Sequence, residues 1–291
     1  MKIGSNDACW CGSQKKYKKC HMAFDDRIKT ICMANHKIIS PDIEMIKTKE
    51  QLDGIRKAGE INTIILDTVE AHVKEGVSTG ELNRIVEEKT RELGGIPAPL
   101  NYEGYPKSVC ISINDVVCHG IPDEKTILRS GDIVNVDCTT IYNGYYGDAS
   151  RMYMIGDVDP RAKELVEVTK FALEEAVRLA QPWTPMGDFA HRIFEISVEH
   201  GFSVVQNIGG HGCGVDFHED PWVAHIGVPG TGHLIVPGMS FTIEPMINLG
   251  GPENYTDEDD GWTVRTEDGS LSAQWEHHLI ITENGNEIIS R

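Results

Sequence analysis

The chain has 291 residues, with 45 Asp and Glu against 27 Lys and Arg, a formal net charge of −18 and 40% apolar residues. That size admits one large domain or two small ones with a sizeable core, and no run approaches the ~18 apolar residues of a membrane span. Such acidity excludes a protein whose whole surface binds nucleic acid or anionic lipid, because phosphate contacts need clustered Lys and Arg.

In chain order, the polar start from Met1 to Asp7 lacks the apolar stretch of a secretory leader, so the chain is expected in the cytoplasm, with no membrane partner. Residues 1–40 hold eight basic and three acidic side chains, net +5, which leaves −23 for the rest. The break Ser40-Pro41-Asp42 predicts a boundary near residue 40, between a zinc module with its linker (1–40) and a catalytic domain (41–291). Within the first segment Cys9, Cys11 and Cys20 crowd beside His21. Three thiolates and one imidazole make a complete tetrahedral set for one structural zinc ion, and a segment this short needs the metal to fold. The stretch resembles the SEC-C zinc-binding motif over residues 5–21. Its lysines, Lys15, Lys16, Lys18 and Lys19, interleaved with Trp10 and Tyr17, would suit ribosomal RNA at the exit region or an acidic protein surface.

From residue 44 onward the chain matches itself at a shift of 107: Gly80-Glu81-Leu82 onto Gly187-Asp188-Phe189, Gly120-Ile121-Pro122 onto Gly227-Val228-Pro229, and the strand-like run ending at Asp137 onto that ending at Glu244. One shared offset predicts two similar halves, about 44–155 and 156–285. Each half opens with two helices. Leu52, Ile55, Ile61, Ile65, Val69 and His72 share one helical stripe; Leu82, Ile85, Val86 and Leu93 form the next, opened by a capping box Ser78-x-x-Glu81. The second half repeats this with Leu165 to Leu179 and with Phe189, Ile193, Ile196 and Val198. Strands are expected at 109–113, 132–141 and 151–155, then at 203–208, 240–248 and 277–282. Helices followed by strands, twice over, predict an α+β fold with helices on one face of a largely antiparallel sheet, a pseudo-two-fold axis and a cleft on that axis.

The repeated strand-like run ends in an acid in each copy, Asp137 and Glu244, and a second acid follows in each half, Asp148 and Glu276, with His211 between them in a Gly-rich run. Four carboxylates in one cleft repel one another, and divalent cations remove that conflict: two bring +4. Asp137 and Glu244 close apolar runs where an unpaired charge is costly, while glycines beside Asp148 and His211 permit close approach to a shared ion.

These residues lie in VNVDCT, YGDAS, GGHGCG, FTIEPMI and SAQWEHH, and residues 41–291 thereby resemble the type 1 methionine aminopeptidases. The resemblance implies the pita-bread fold and removal of the N-terminal methionine from nascent polypeptides whose second residue is small. It implies that Asp137 chelates one active-site ion, that His211 and Glu244 hold the other, and that Asp148 and Glu276 bridge them; Glu244 would also be the general base. Cobalt, manganese, iron and zinc are the candidate metals. His119 would assist the leaving nitrogen and His218 the tetrahedral oxyanion, while Tyr102, Tyr105, Cys110, Phe217 and Trp262 would line the methionine pocket with them. Two positions depart from the family pattern: Pro99 stands where some members have Cys, and His278 where Thr is common. Members are commonly monomers, which is the expectation here. An X-Pro peptidase, which shares fold and ligands, and a ligand-free binding module are the competing readings; the first usually carries a longer N-terminal domain, and the intact ligand set argues against the second.

Overall fold

The structure, a computed structural model, describes residues 3–291; Met1 and Lys2, the latter counted above in the basic segment, lie outside the described residues. The helices expected from apolar periodicity form as α2 (Lys49–Glu70), α3 (Thr79–Glu92), α4 (Pro160–Leu179) and α5 (Met186–Glu199). Helix α2 starts at a reciprocal capping box, Thr48 with Gln51. At α3 only half of the expected box exists. Ser78 Oγ accepts the Glu81 N–H at 3.0 Å, but both Glu81 oxygens turn to Arg84 instead of the Ser78 backbone. His72 lies beyond the end of α2, exposed, and Val198 is also exposed, because the buried face of α5 runs Phe189–Ile193–Ile196 and residue 198 falls off it.

Each half folds around its own core. In the first, the strand Ile133–Tyr142 pairs antiparallel with Tyr145–Met154 on one side and Cys110–Ile113 on the other, and α2 and α3 cover one face. Ile61, Ile65, Leu82, Val86, Val134 and Val136 fill that interface. In the second half Ser240–Ile243 pairs with His277–Thr282, and Met246–Asn248 with Ser272–Gln274. Here α4 and α5 supply Leu165, Leu173, Phe189 and Ile193 to the core. This is the duplicated α+β architecture that the internal repeat predicted.

Strand boundaries differ from expectation in instructive ways. The strand expected at 132–141 forms as Ile133–Tyr142, one residue later at each end, and Asp137, which closes the repeated run, sits in mid-strand. The strand expected at 151–155 begins at Tyr145, which puts Asp148 in the sheet instead of a Gly-rich loop. Gly147 beside it does not serve a metal: a Cβ there would strike the backbone of Ala58 and Gly59 on α2. The 240–248 segment breaks into two strands at Glu244-Pro245, since proline offers no N–H to a ladder, and 203–208 shortens to Ser203–Val204.

A helix that the sequence reading did not foresee, α1 (Met22–Ala34), ties the N-terminal segment to the second half. Ile28 is buried in that core, Phe24 packs edge-on against Trp183 at 5.3 Å, and the Arg27 guanidinium lies 3.8 Å over the same indole. Beyond α1, Asn35 Nδ2 donates to Gly230 O, and Ile38–Ile39 pairs in parallel with Gly232–His233. No helix among the described residues is long and apolar enough to cross a membrane.

Candidate active site and N-terminal metal site

The hairpin register builds the first half of the site. Asp137 stands opposite Ser150 and Thr139 opposite Asp148, so with the two-residue alternation of a strand all four side chains share one face of the sheet. In the second half, Glu244 and Glu276 fall between the pairs Ile243–His277 and Met246–Gln274, facing each other across the break in the ladder. His211 comes from the short strand Gly210–Gly212, bonded to Ser240–Ile243. All five expected ligands line one cavity of about 430 Å³, and donor atoms of Asp148, His211 and Glu276 lie within 4.8 Å of one another.

Two of the acids, Asp148 and Glu244, are held by neighbours. Thr139 Oγ1 donates to Asp148 Oδ1 at 2.7 Å, Thr242 Oγ1 to Glu244 Oε1 at 2.8 Å, and Gln274 Nε2 to Glu244 Oε2 at 3.0 Å. The Glu244 backbone N–H donates to His225 Nε2, and that of Asp148 to His278 Nδ1. His278, the departure from the family pattern, is fully buried and neutral, its pKa pushed down to about 4 by burial. With Nδ1 accepting, its Nε2–H faces the Cys213 carbonyl at 3.2 Å and Ser240 Oγ at 2.8 Å, so it ties three strands together directly behind the site. None of these five supporting side chains was singled out beforehand, apart from His278 as an anomaly, because single polar residues scattered over strands and loops carry no spacing signal.

The electrostatics fit a cation. Burial pushes the carboxyls of Asp148, Glu244 and Glu276 well above the usual range, and their mutual repulsion pushes further; burial takes Asp137 up to about 7. His211 is held neutral, its pKa driven down to about 3 by burial and then by the neighbouring His218. Its Nδ1 bonds the Gly212 carbonyl at 3.0 Å, so Nε2 presents a lone pair to Asp148 Oδ2 at 3.8 Å and Glu244 Oε1 at 3.7 Å. Those separations exceed a hydrogen bond and suit donors that share an ion.

The remaining predicted residues surround this centre. His119, in a left-handed conformation at φ +57°, lines the cavity with its pKa lowered to about 4 by burial and by His218. The His218 ring lies 4.3 Å from that of His211, and its Nδ1 meets the Tyr102 hydroxyl at 3.0 Å. Tyr102 and Phe217 pack edge to face at 4.8 Å, and Tyr105 meets Trp262 at 5.3 Å. The Tyr105 hydroxyl is spent on the carbonyls of Val109 and Gly120, so the ring offers only its apolar edge. Cys110 stands opposite Asp137, and Pro99 lines the rim. His36 and His200, given no role, are exposed.

About the N-terminus, Cys9 Sγ and Cys20 Sγ lie 3.2 and 3.3 Å from His21 Nδ1, and Cys11 Sγ lies 3.6 Å from Cys20 Sγ. Tetrahedral zinc with Zn–S near 2.3 Å spaces its sulfurs by about 3.8 Å, so the four donors are set for one ion. Trp10 Nε1 and the Tyr17 hydroxyl both donate to Asp25 on α1, at 3.0 and 2.6 Å, fastening the knuckle to the helix.

A duplicated α+β fold whose cleft gathers four acids, three of them buried, and a neutral imidazole defines a metallopeptidase, and residues 53–283 match metallopeptidase family M24 while residues 6–23 match the SEC-C motif. A methionine aminopeptidase of Chlamydia muridarum is 43% identical over 98% of this chain and 98% of its own length; that of Escherichia coli strain K12 is 46% identical over 84% of this chain and 93% of its own. The crystal structure of the methionine aminopeptidase from Rickettsia prowazekii superposes with a TM-score of 0.82 at 44% identity, covering 84% of this chain and 99% of that one. The chain belongs to family M24 and, within it, to the methionine aminopeptidases.

Proposed function

We propose that the chain hydrolyses the first peptide bond of nascent polypeptides in the cytoplasm, releasing methionine when the second residue is small. Two divalent ions would be held by Asp137, Asp148, His211, Glu244 and Glu276, with the two bridging acids being Asp148 and Glu276. When bound, they supply Lewis acidity, lowering the pKa of a water and polarising the scissile carbonyl. Oxygen and imidazole donors suit Mn²⁺, Fe²⁺ or Co²⁺, with Zn²⁺ also accommodated.

The protein's own groups divide the remaining work. Glu244, oriented by Thr242 and Gln274, takes the proton of the attacking water. With the Tyr102 hydroxyl donating to Nδ1, His218 carries its hydrogen on Nε2 and stabilises the negative oxygen that develops on the carbonyl. His119 guides a proton to the departing amine. Aromatic edges from Tyr102, Tyr105, Phe217 and Trp262, with the Cys110 thiol, favour a thioether, each contact contributing about 0.3–1.5 kcal/mol. The convergence of five donors from both halves into one cleft supports this reading above any other observation. Free methionine released from a Met-X-Ser series tests it: rates should fall steeply from X = Gly, Ala or Ser to X = Leu or Lys, and equal rates throughout would refute the size rule. Metal analysis of protein purified without added metal identifies the ions.

The SEC-C segment would hold one structural zinc. Its exposed lysines, Lys15, Lys16, Lys18 and Lys19, suit ribosomal RNA or an acidic protein surface. Reversing those four charges should abolish cosedimentation with ribosomes; unchanged cosedimentation would dismiss the contact. A monomer is the state proposed.

A further inference from the structure

Lys47 is buried, its side chain 4% exposed, on the strap that joins the N-terminal segment to α2. An ammonium this far from water must be compensated. Its Nζ donates to Glu219 Oε2 at 2.5 Å and to the Glu44 carbonyl at 2.8 Å, while the Lys47 backbone N–H is anchored on Gly238 O. The other oxygen of the carboxylate, Glu219 Oε1, accepts the Val215 N–H at 3.1 Å.

Glu219 follows His218 directly, and the pair Gly212–Glu219 closes the loop 213–218 that returns from His211 to His218. The start of that loop is held by Cys213 N–H to Ser240 O, His278 Nε2–H to Cys213 O and Tyr146 N–H to Gly214 O, whereas from Val215 onward its hydrogen bonds to the rest of the protein are those of the Glu219 carboxylate and of His218 itself to Tyr102. The Lys47–Glu219 pair therefore braces, from behind, the loop whose other face presents Phe217 and His218 to the cavity. Well-packed apolar residues often replace a buried ion pair without loss of stability, so a pair in this place is better explained by fixing geometry than by holding the fold together.

We propose that Lys47 is a positioning residue for His218, acting through Glu219 to set the loop 213–218 against the cleft. This rests on the peptidase reading above. The test uses full-length, metal-loaded protein and Met-Ala-Ser. Lys47→Met keeps the stem and removes the charge; kcat should fall about tenfold, with KM within about twofold and metal content unchanged, as for a slightly misplaced group. In a His218→Ala background the same substitution should lower kcat less than about twofold, because the residue it positions is gone. An equal loss in both backgrounds, or no loss in the first, overturns the proposal. If Lys47→Met does not fold, Glu219→Gln goes through the same cycle and is read the same way; failure of both to fold would make the pair a folding element and overturn the positioning role. An inactive wild-type protein would instead sink the peptidase reading, so the two failures are distinguishable.

Discussion

Asp148 is the most constrained side chain of the site. It is 3% exposed, accepts from Thr139, lies 3.8 Å from His211, and has its own N–H held by His278. In the proposed bridging role it should tolerate no loss of charge: Asp148→Asn is expected to abolish methionine release and to reduce bound metal, measured by elemental analysis of the purified variant. Near-normal turnover would refute the bridging role. The five candidate ligands stand out in the sequence because each sits in a distinctive motif, and Asp137 and Glu244 also occupy matching positions of the repeat. Thr139, Thr242, Gln274 and His225 were not legible, since what makes them matter is one hydrogen bond to an acid that is distant in sequence or hidden by the strand register. His278 was visible only as a departure, and its role emerges from the three strands it joins.

At the scale of elements, apolar periodicity predicted α2 to α5, and the buried stripes are those expected apart from the exposed His72 and Val198. Helix α1 carries the same kind of signal, Phe24, Ile28, Ile31 and Cys32 at helical spacing, but it stands among charged residues in a segment already assigned to a zinc module. Strand ends were the weaker part of the reading, because Asp148 and Gly147 look like turn residues until α2 is placed against them. That packing is close enough to test. Gly147→Val should force the strand away from Ala58 and Gly59, costing about 1–3 kcal/mol and lowering the thermal midpoint by several degrees. An unchanged midpoint would mean that the strand and α2 can separate without penalty.

Across the whole molecule, the charge of −18 divides into a basic N-terminal segment and a strongly acidic body, and the two are not separate objects. The chain of rings from Trp10 through His21 and Phe24 to Trp183 joins the SEC-C segment to the second half. Sequence alone suggested a boundary near residue 40 because composition changes there, whereas contacts made by α1 have no compositional trace. Stability should depend on pH in a definite direction. His225 and His278 are buried and His277 is partly buried, with pKa values driven down by desolvation to about 3, 4 and 4 for His225, His277 and His278, against about 6.5 when unfolded. The unfolded chain therefore binds more protons between those limits, so their contribution is present above about pH 6.5 and is lost as pH falls towards 4. Metal-loaded protein should show a falling thermal midpoint from pH 7 to pH 5, and a flat profile would contradict neutral burial of these rings. The proposed two-ion aminopeptidase site is tested most directly by hydrolysis of Met-Ala-Ser against a Gly-Pro dipeptide after reconstitution with Mn²⁺, Fe²⁺, Co²⁺ or Zn²⁺. Release of free methionine from the tripeptide, with Gly-Pro left intact, is the predicted result; cleavage of Gly-Pro alone, or inactivity with every ion, would contradict it.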